Sequence, residues 1–279
     1  MRLLTLNVHG RLEDNIDEKM DEIVAFIVKQ DVDYIALQEV AQEIDDEILT
    51  EDALISLNYT KLTKQYFDIP IKSTNYAYQL VKKLKQQQLT YHWSWAPTHI
   101  GFDSYDEGVA VLSKTKFEAE PLHLSKMLDY SNYHTRFALV AKDIEEDILV
   151  FSTHHSWWEN DFSHEWNRIE DYIKNSSLSQ CAILGDFNNE ASVDGEGYHL
   201  IMQSELDIQD SFIEAKTTIG EYTVKNAIAG WDDHHDQKRI DYQFFDQTQN
   251  IEKYEVVFDG DKYPIVSDHF GIFVNIQND

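Results

Sequence analysis

Cysteine occurs once in 279 residues, proline four times and glycine ten times. One cysteine excludes any disulfide within the chain, and Cys181, inside the apolar run "CAIL", reads as a buried hydrophobe. So little proline and glycine, beside 42% hydrophobic and 13% aromatic residues, excludes a linker-rich or disordered chain. Basic residues are scarce as well: 23 Lys and Arg against 51 Asp and Glu leave a formal net charge of −28. Such a surface repels polyanions, and the best basic stretch, "VKKLKQQQ" at 81–88, is too short to neutralise a nucleic-acid backbone. A small anionic ligand stays compatible, because a divalent cation inverts the local potential of an acidic pocket. No apolar run reaches the roughly 20 residues of a membrane-spanning helix. The opening "MRLLTLNVHG" has a strand pattern rather than the apolar core and cleavage site of a signal peptide. The expectation is a soluble cytoplasmic protein with neither nucleic-acid nor membrane partners.

What is present is a succession of short apolar runs. "RLLTLNV" at 2–8 predicts a strand, and "NIDEKMDEIVAFIVKQ" at 15–30 a helix with apolar spacing at Ile16, Met20, Ile23 and Ile27. Asn15 with Glu18 has the form of a capping box at its start. "DYIALQEV" at 33–40 follows as a second strand, so the chain opens as an α/β domain. Residues 44–107 read as a long excursion, with a helix in "YAYQLVKKLKQQ" and little periodicity in "YHWSWAPTHIGFDSYDE". Strand-like runs then begin at 108, 137, 147, 181, 239 and 269, with a hairpin between the second and third and a helix in "SHEWNRIEDYIKNS" from 163. One domain over residues 1–279, built on β-sheet with flanking helices, accounts for this pattern.

Many of these runs stop at, or start from, residues that can bind a metal or move a proton. "LLTL" leads into Asn7, "YIALQ" into Glu39, "LVFST" into His154 and "AILG" into Asp186 and Asn188. Asp241 stands near the start of "RIDYQFF", and Asp268 and His269 open "SDHFGIFV". In an antiparallel arrangement the end of one strand lies beside the start of its neighbour, so the two groups can converge on one edge. Each alone fits a solvated turn, since Asp and Asn make local turn hydrogen bonds. Their number and consistent placement favour a site.

The succession "TLNVHG", "ALQEV", "DEGVAVLS", "STHHS", "GDFN", "RIDY" and "SDHFG" resembles the endonuclease/exonuclease/phosphatase superfamily over residues 2 to about 276. The resemblance implies a four-layer α/β sandwich of two packed, mostly antiparallel sheets flanked by helices, and phosphoester cleavage assisted by Mg²⁺ or Mn²⁺. It assigns Glu39 as the surest metal ligand, with Asn7 and Asp268 near the ion. Asp186 matches the residue that orients or deprotonates the attacking water, and Asn188 one that donates to a phosphoryl oxygen. His269 matches the histidine beside the scissile phosphate, Asp241 its carboxylate partner, and His154 a second histidine with Glu107 behind it. Arg136 is a candidate phosphate contact. "STHHS" offers two imidazoles that face opposite ways on a strand, and the resemblance selects His154 over His155. "DDHHD" at 232–236 reads as a solvated loop, because consecutive residues do not readily share one ion.

The superfamily contains nucleases, sphingomyelinases and inositol-phosphate phosphatases. The charge of −28 argues against a nuclease, the lack of a signal peptide against a secreted sphingomyelinase, and the scarcity of Lys and Arg near the motifs against a polyphosphate substrate. A substrate with one phosphate and a neutral body remains. Trp157, Trp158 and Trp231, with Trp93 and Trp95 upstream of Glu107, are candidate platforms for sugar faces. The flavour of these segments is similar to a bacterial branch of sugar-phosphate phosphatases, which implies a phosphorylated disaccharide such as maltose 6′-phosphate. A nuclease or phosphodiesterase of the same superfamily, and a catalytically silent binding module, are the competing expectations.

Overall fold

The computed structural model describes residues 1–225, 236–246 and 249–277. The opening strand, helix and strand are β1 (Arg2–Asn7), α1 (Ile16–Gln30) and β2 (Tyr34–Gln38). The excursion that follows contains β3 (Gln42–Glu43), α2 (Glu51–Ser56), α3 (Tyr76–Gln86) and β4 (His92–Gly101), and leads into β5 (Tyr105–Ser113). Then come β6 (Glu118–His123), β7 (Phe137–Asp143), β8 (Ile148–His154), α4 (Phe162–Lys174) and β9 (Gln180–Asp186). The chain continues through α5 (Gly197–Met202), β10 (Gln209–Asp210), α6 (Ser211–Glu214), β11 (Thr218–Ile219), β12 (Asp241–Phe245), β13 (Ile251–Val257) and β14 (Gly271–Ile276).

Two mixed, mostly antiparallel sheets result. The first runs β11-β13-β14-β1-β2-β5-β3 with β4 also on β5, and the second runs β10-β12-β9-β8-β7-β6. Their inner faces share one apolar layer that includes Leu3, Ala36, Val109, Leu139, Val150, Leu184 and Ile272, all buried. Outside the first sheet, α1 and α3 bury Met20, Ile23, Ile27, Leu80 and Leu84 against Leu4, Leu6 and Ile35. Outside the second, α4 and α5 cover Phe151, Ile183 and Phe244 with Phe162, Trp166, Ile169 and Ile201. The order helix, sheet, sheet, helix is the expected four-layer sandwich. Cys181 is buried in the outer layer of the second sheet. Among the described residues, no helix is long and apolar enough to cross a membrane.

Three expectations are corrected. Asn15 precedes α1, but its backbone is left-handed (φ 56°) and its side chain caps nothing, so the capping box is not formed. The aromatic stretch without periodicity is mostly strand: β4 is buried along nearly its whole length, which erases the alternation that marks a strand with one wet face. Trp93 and Trp95 lie fully in the core, and Trp95 Nε1 donates to Val40 O at 2.9 Å. Neither is a sugar platform.

Candidate active site

Topology alone brings the polar strand ends together. β1 and β2 are parallel, with Asn7 opposite Gln38, so Asn7 and Glu39 leave the first sheet at one edge. β14 runs antiparallel to β1 and therefore starts there, just after Asp268 and His269. β5 is antiparallel to β2, and near its start Glu107 sits opposite His99 of β4. In the second sheet the parallel β8 and β9 end side by side, with His154 opposite Asp186, and antiparallel β12 begins with Asp241 opposite that same Asp186. Arg136 immediately precedes β7 at the same edge. A cavity of about 440 Å³ opens at this edge, lined by Glu39, Glu107, Arg136, His154, Trp157, Asp186, Asn188, Asp268 and His269, with His9 and His99.

Asp186 is the hub. Asn7 Nδ2 donates to Glu39 Oε1 at 2.8 Å and to Asp186 Oδ2 at 3.1 Å, joining the two sheets through one amide. His269 Nε2 and His154 Nε2 lie 3.7 and 3.6 Å from Asp186 Oδ2. The Asn188 amide N–H donates to Asp186 Oδ1 at 2.9 Å, and its side-chain nitrogen donates to His155 O at 3.0 Å and lies 3.2 Å from His154 Nε2. Burial, with Asp241 nearby, pushes the Asp186 carboxyl up to about 6 despite the opposing His269. Gly185, just before it, has φ +155°, and a Cβ there would lie 1.9 Å from Thr153 O. Only glycine lets β9 approach β8 so closely at this point. His9, Glu39 and Asn188 all hold left-handed backbones, with φ of 43°, 51° and 50°. Backbone strain of this kind clusters at functional sites.

The two central histidines are shifted in opposite directions. Burial disfavours the imidazolium of His269, but Asp241 and Asp186 outweigh it and hold the ring well above its ordinary value; the Nδ1 to Asp241 Oδ2 distance is 3.0 Å. His154 is buried too, and Arg136 and His99 add to the desolvation that holds it well below its ordinary value. Its Nδ1 faces Arg136 Nη1 at 3.3 Å and its Nε2 faces the Asn188 amide, so a ring that could only donate would meet another donor on both sides.

Glu39 is half-buried, and burial with the charges of Glu107 and Asp268 pushes its carboxyl up to about 8. Carboxylates crowded this way are stabilised by a cation, and their hard oxygen atoms suit a divalent one. Ligand atoms of Glu39, His154 and Asp186 lie within 4.8 Å of one another, as do those of His9, Glu13 and Asp268. Burial also opposes ionisation of Glu107, yet His99, Arg136 and His9 outweigh it and hold that carboxyl below its ordinary value. Arg136 Nε and Trp157 Nε1 are buried without a partner among the described residues. Both side chains belong to the cavity wall, with these two nitrogen atoms themselves covered.

Some sequence-derived assignments shift. Asn7 is fully buried, and its Oδ1 accepts from His9 N at 3.1 Å, so it positions Glu39 and Asp186 instead of turning an oxygen to the cavity. Asp241 stands behind His269 and does not line the cavity. Trp158 packs on Phe162 in the outer core and does not line it either. Trp231 and residues 232–235 of "DDHHD" lie outside the described residues. His155 is wholly buried, stacked on Phe187 and 3.1 Å from Glu165, which leaves His154 as the one of that adjacent pair that lines the cavity. Sequence reasoning missed His9 and His99. His99 Nε2 is 3.2 Å from Glu107 Oε1, and its only signal was a place in the strand hidden by burial.

The Endonuclease/Exonuclease/phosphatase family model matches residues 4–269. An endonuclease/exonuclease/phosphatase family protein from Leptotrichia buccalis is similar in structure with a TM-score of 0.82 at 28% identity, over 100% of both chains. The mannosyl-6-phosphatase of Bacteroides thetaiotaomicron shares the fold at 16% identity (TM-score 0.65, 100% of both chains). So does D. rerio TDP2 complexed with single-strand DNA product, at 15% identity (TM-score 0.63, 100% of this chain and 99% of that one). No curated protein matches the chain in sequence.

Proposed function

We propose that this chain, a member of the endonuclease/exonuclease/phosphatase family, is a metal-dependent phosphomonoesterase that hydrolyses a small phosphorylated sugar in the cytoplasm, with maltose 6′-phosphate the leading candidate. One observation carries the substrate class. Among the described residues, Arg136 is the single Arg or Lys lining a cavity that also presents Glu39, Asp103, Glu107, Asp186 and Asp268. Beside a protonated His269 and a bound divalent ion, one guanidinium suits one phosphate on a neutral body; a polyanion would find no further Arg or Lys there and would meet carboxylates instead.

Glu39 and Asp268 would hold a divalent ion, Mg²⁺ or Mn²⁺, with Asn7 orienting Glu39. When bound, such an ion supplies counter-charge and Lewis-acid polarisation to phosphoryl oxygens. Asp186 orients the attacking water and takes its proton, a task suited to a carboxyl raised to about 6. His269, kept protonated by Asp241, places positive charge beside the phosphoryl group, Arg136 offers N–H donors to its oxygens, and Asn188 would add the side-chain N–H that faces His154 Nε2 in this structure. Neutral His154 hydrogen-bonds the phosphate or the departing sugar oxygen.

Purified protein with Mg²⁺ or Mn²⁺ should release phosphate from maltose 6′-phosphate or a related sugar phosphate, should stop with EDTA, and should leave DNA and lipid phosphodiesters intact. DNA cleavage without sugar-phosphate turnover would replace this reading with a nuclease. Metal binding without any turnover would indicate a silent binding module.

A further inference from the structure

We infer that Phe102 and Tyr133, with Asp103 and Ser131, form a second subsite at the cavity mouth that binds the neutral sugar ring of the leaving group. This deepens the phosphomonoesterase reading and takes the orientation of the ligand from it. Both aromatics line the cavity, yet Phe102 is 59% and Tyr133 55% exposed. Large rings left in water beside a catalytic cavity are binding surface in waiting.

The backbone around each ring is built to hold it there. The β4–β5 turn is closed by Ser104 N donating to Gly101 O at 3.1 Å, and its two central residues, Phe102 and Asp103, have φ of 49° and 55°. Glycine and asparagine favour those positions, and a bulky ring there is a costly exception. Tyr133 stands on a loop fixed from within. Asp129 Oδ1 accepts from Ser131 N and Oγ at 3.0 and 2.8 Å, Thr135 N donates to Asn132 O at 2.9 Å, and the Tyr133 ring lies 4.1 Å from that of His134. Ile100 N donates to Tyr130 O at 2.8 Å, strapping the hairpin to the loop, and Tyr130 Oη donates to Asp106 Oδ1 at 2.8 Å. The backbone that carries the two rings is thus ordered before a ligand binds.

The polar groups that line the cavity with the rings choose the ligand class. The Asp103 carboxylate and Ser131 hydroxyl can accept from sugar hydroxyls while the rings meet C–H faces. A second phosphate would meet the Asp103 charge. A nucleobase could also stack, so the test includes one.

Phe102→Asn keeps a residue that tolerates the left-handed turn and removes only the ring; Tyr133→Ala removes the other. Each should lower kcat/KM for maltose 6′-phosphate by about 10-fold while glycerol 3-phosphate, which lacks the ring, stays within about two-fold of wild type. Equal losses on both substrates, or no loss on either, would overturn the subsite. A larger loss on adenosine 5′-monophosphate would reassign it to a nucleobase. Titration calorimetry with unphosphorylated maltose reads the subsite without turnover. Heat with wild type that disappears in Phe102→Asn supports it even if no sugar phosphate is hydrolysed, and no binding to wild type rejects it.

Discussion

His269 and His154 stand on either side of Asp186, 3.7 and 3.6 Å from the same oxygen, yet only one of them is held as a cation. The difference lies one residue further out. Asp241 backs His269 with a carboxylate, while Arg136 backs His154 with a guanidinium. In the proposed mechanism the pair would divide the work: positive charge on one side, a neutral hydrogen-bonding ring on the other. Asp241→Asn should lower kcat by about 10²-fold, and the pH profile gives the more specific sign. Asp241 raises the His269 pKa, so activity that needs the protonated ring is lost as pH rises through that value. Removing the carboxylate lowers the value, and the alkaline limb of kcat/KM must move to lower pH. A lower plateau with an unmoved limb would show that some other group titrates there. His269→Ala and Asp186→Asn should each cost about 10²-fold or more in kcat with circular dichroism unchanged, and full activity in both would mean that their roles are misassigned. The sequence made these residues visible because each abuts an apolar run. It could not show the left-handed backbones of Glu39 and Asn188, which depend on the packing around them.

At the scale of elements, Gly185 shows how closely strand and site are coupled. Its missing Cβ lets Thr153 O sit against the chain one residue before Asp186. Gly185→Ala should destabilise the protein by roughly 2–4 kcal/mol, measured as a lower urea midpoint, and should lower kcat in the fraction that stays folded because β9 shifts with Asp186. An unchanged midpoint would mean that β8 and β9 can part without cost. Strands with regular burial, such as β1, β7, β8 and β14, were legible from their apolar runs. β4 was not: it is buried nearly as fully as β8, but its buried positions include the polar Ser94, Thr98 and His99, so no apolar run forms, and Pro97 interrupts it where the register shifts between Pro97 and His99. β13 carries a similar irregularity between Ile251 and Lys253, and β6 is an edge strand with Pro121. His99 was lost with β4. A site residue is only as readable as the element that carries it.

At the scale of the whole molecule, the charge of −28 acts on every anion that approaches. A basic nuclease groove attracts its substrate, so added salt weakens association. Under the proposed function the surface field would oppose a sugar phosphate, and the favourable charges at the cavity would be Arg136, His269 and a divalent ion on Glu39 and Asp268. Mobile ions screen exposed charges beyond about 10 Å at 0.1 M ionic strength and act less on contacts inside the cavity. Raising KCl from about 10 to 150 mM at saturating divalent ion should therefore increase kcat/KM for maltose 6′-phosphate, by roughly two-fold or more. The gain should appear mainly in KM, because kcat reports the already bound complex. A steep fall with salt would mean that the substrate is drawn in by a positive surface, and would count directly for a polyanionic substrate and against one phosphate on a neutral sugar.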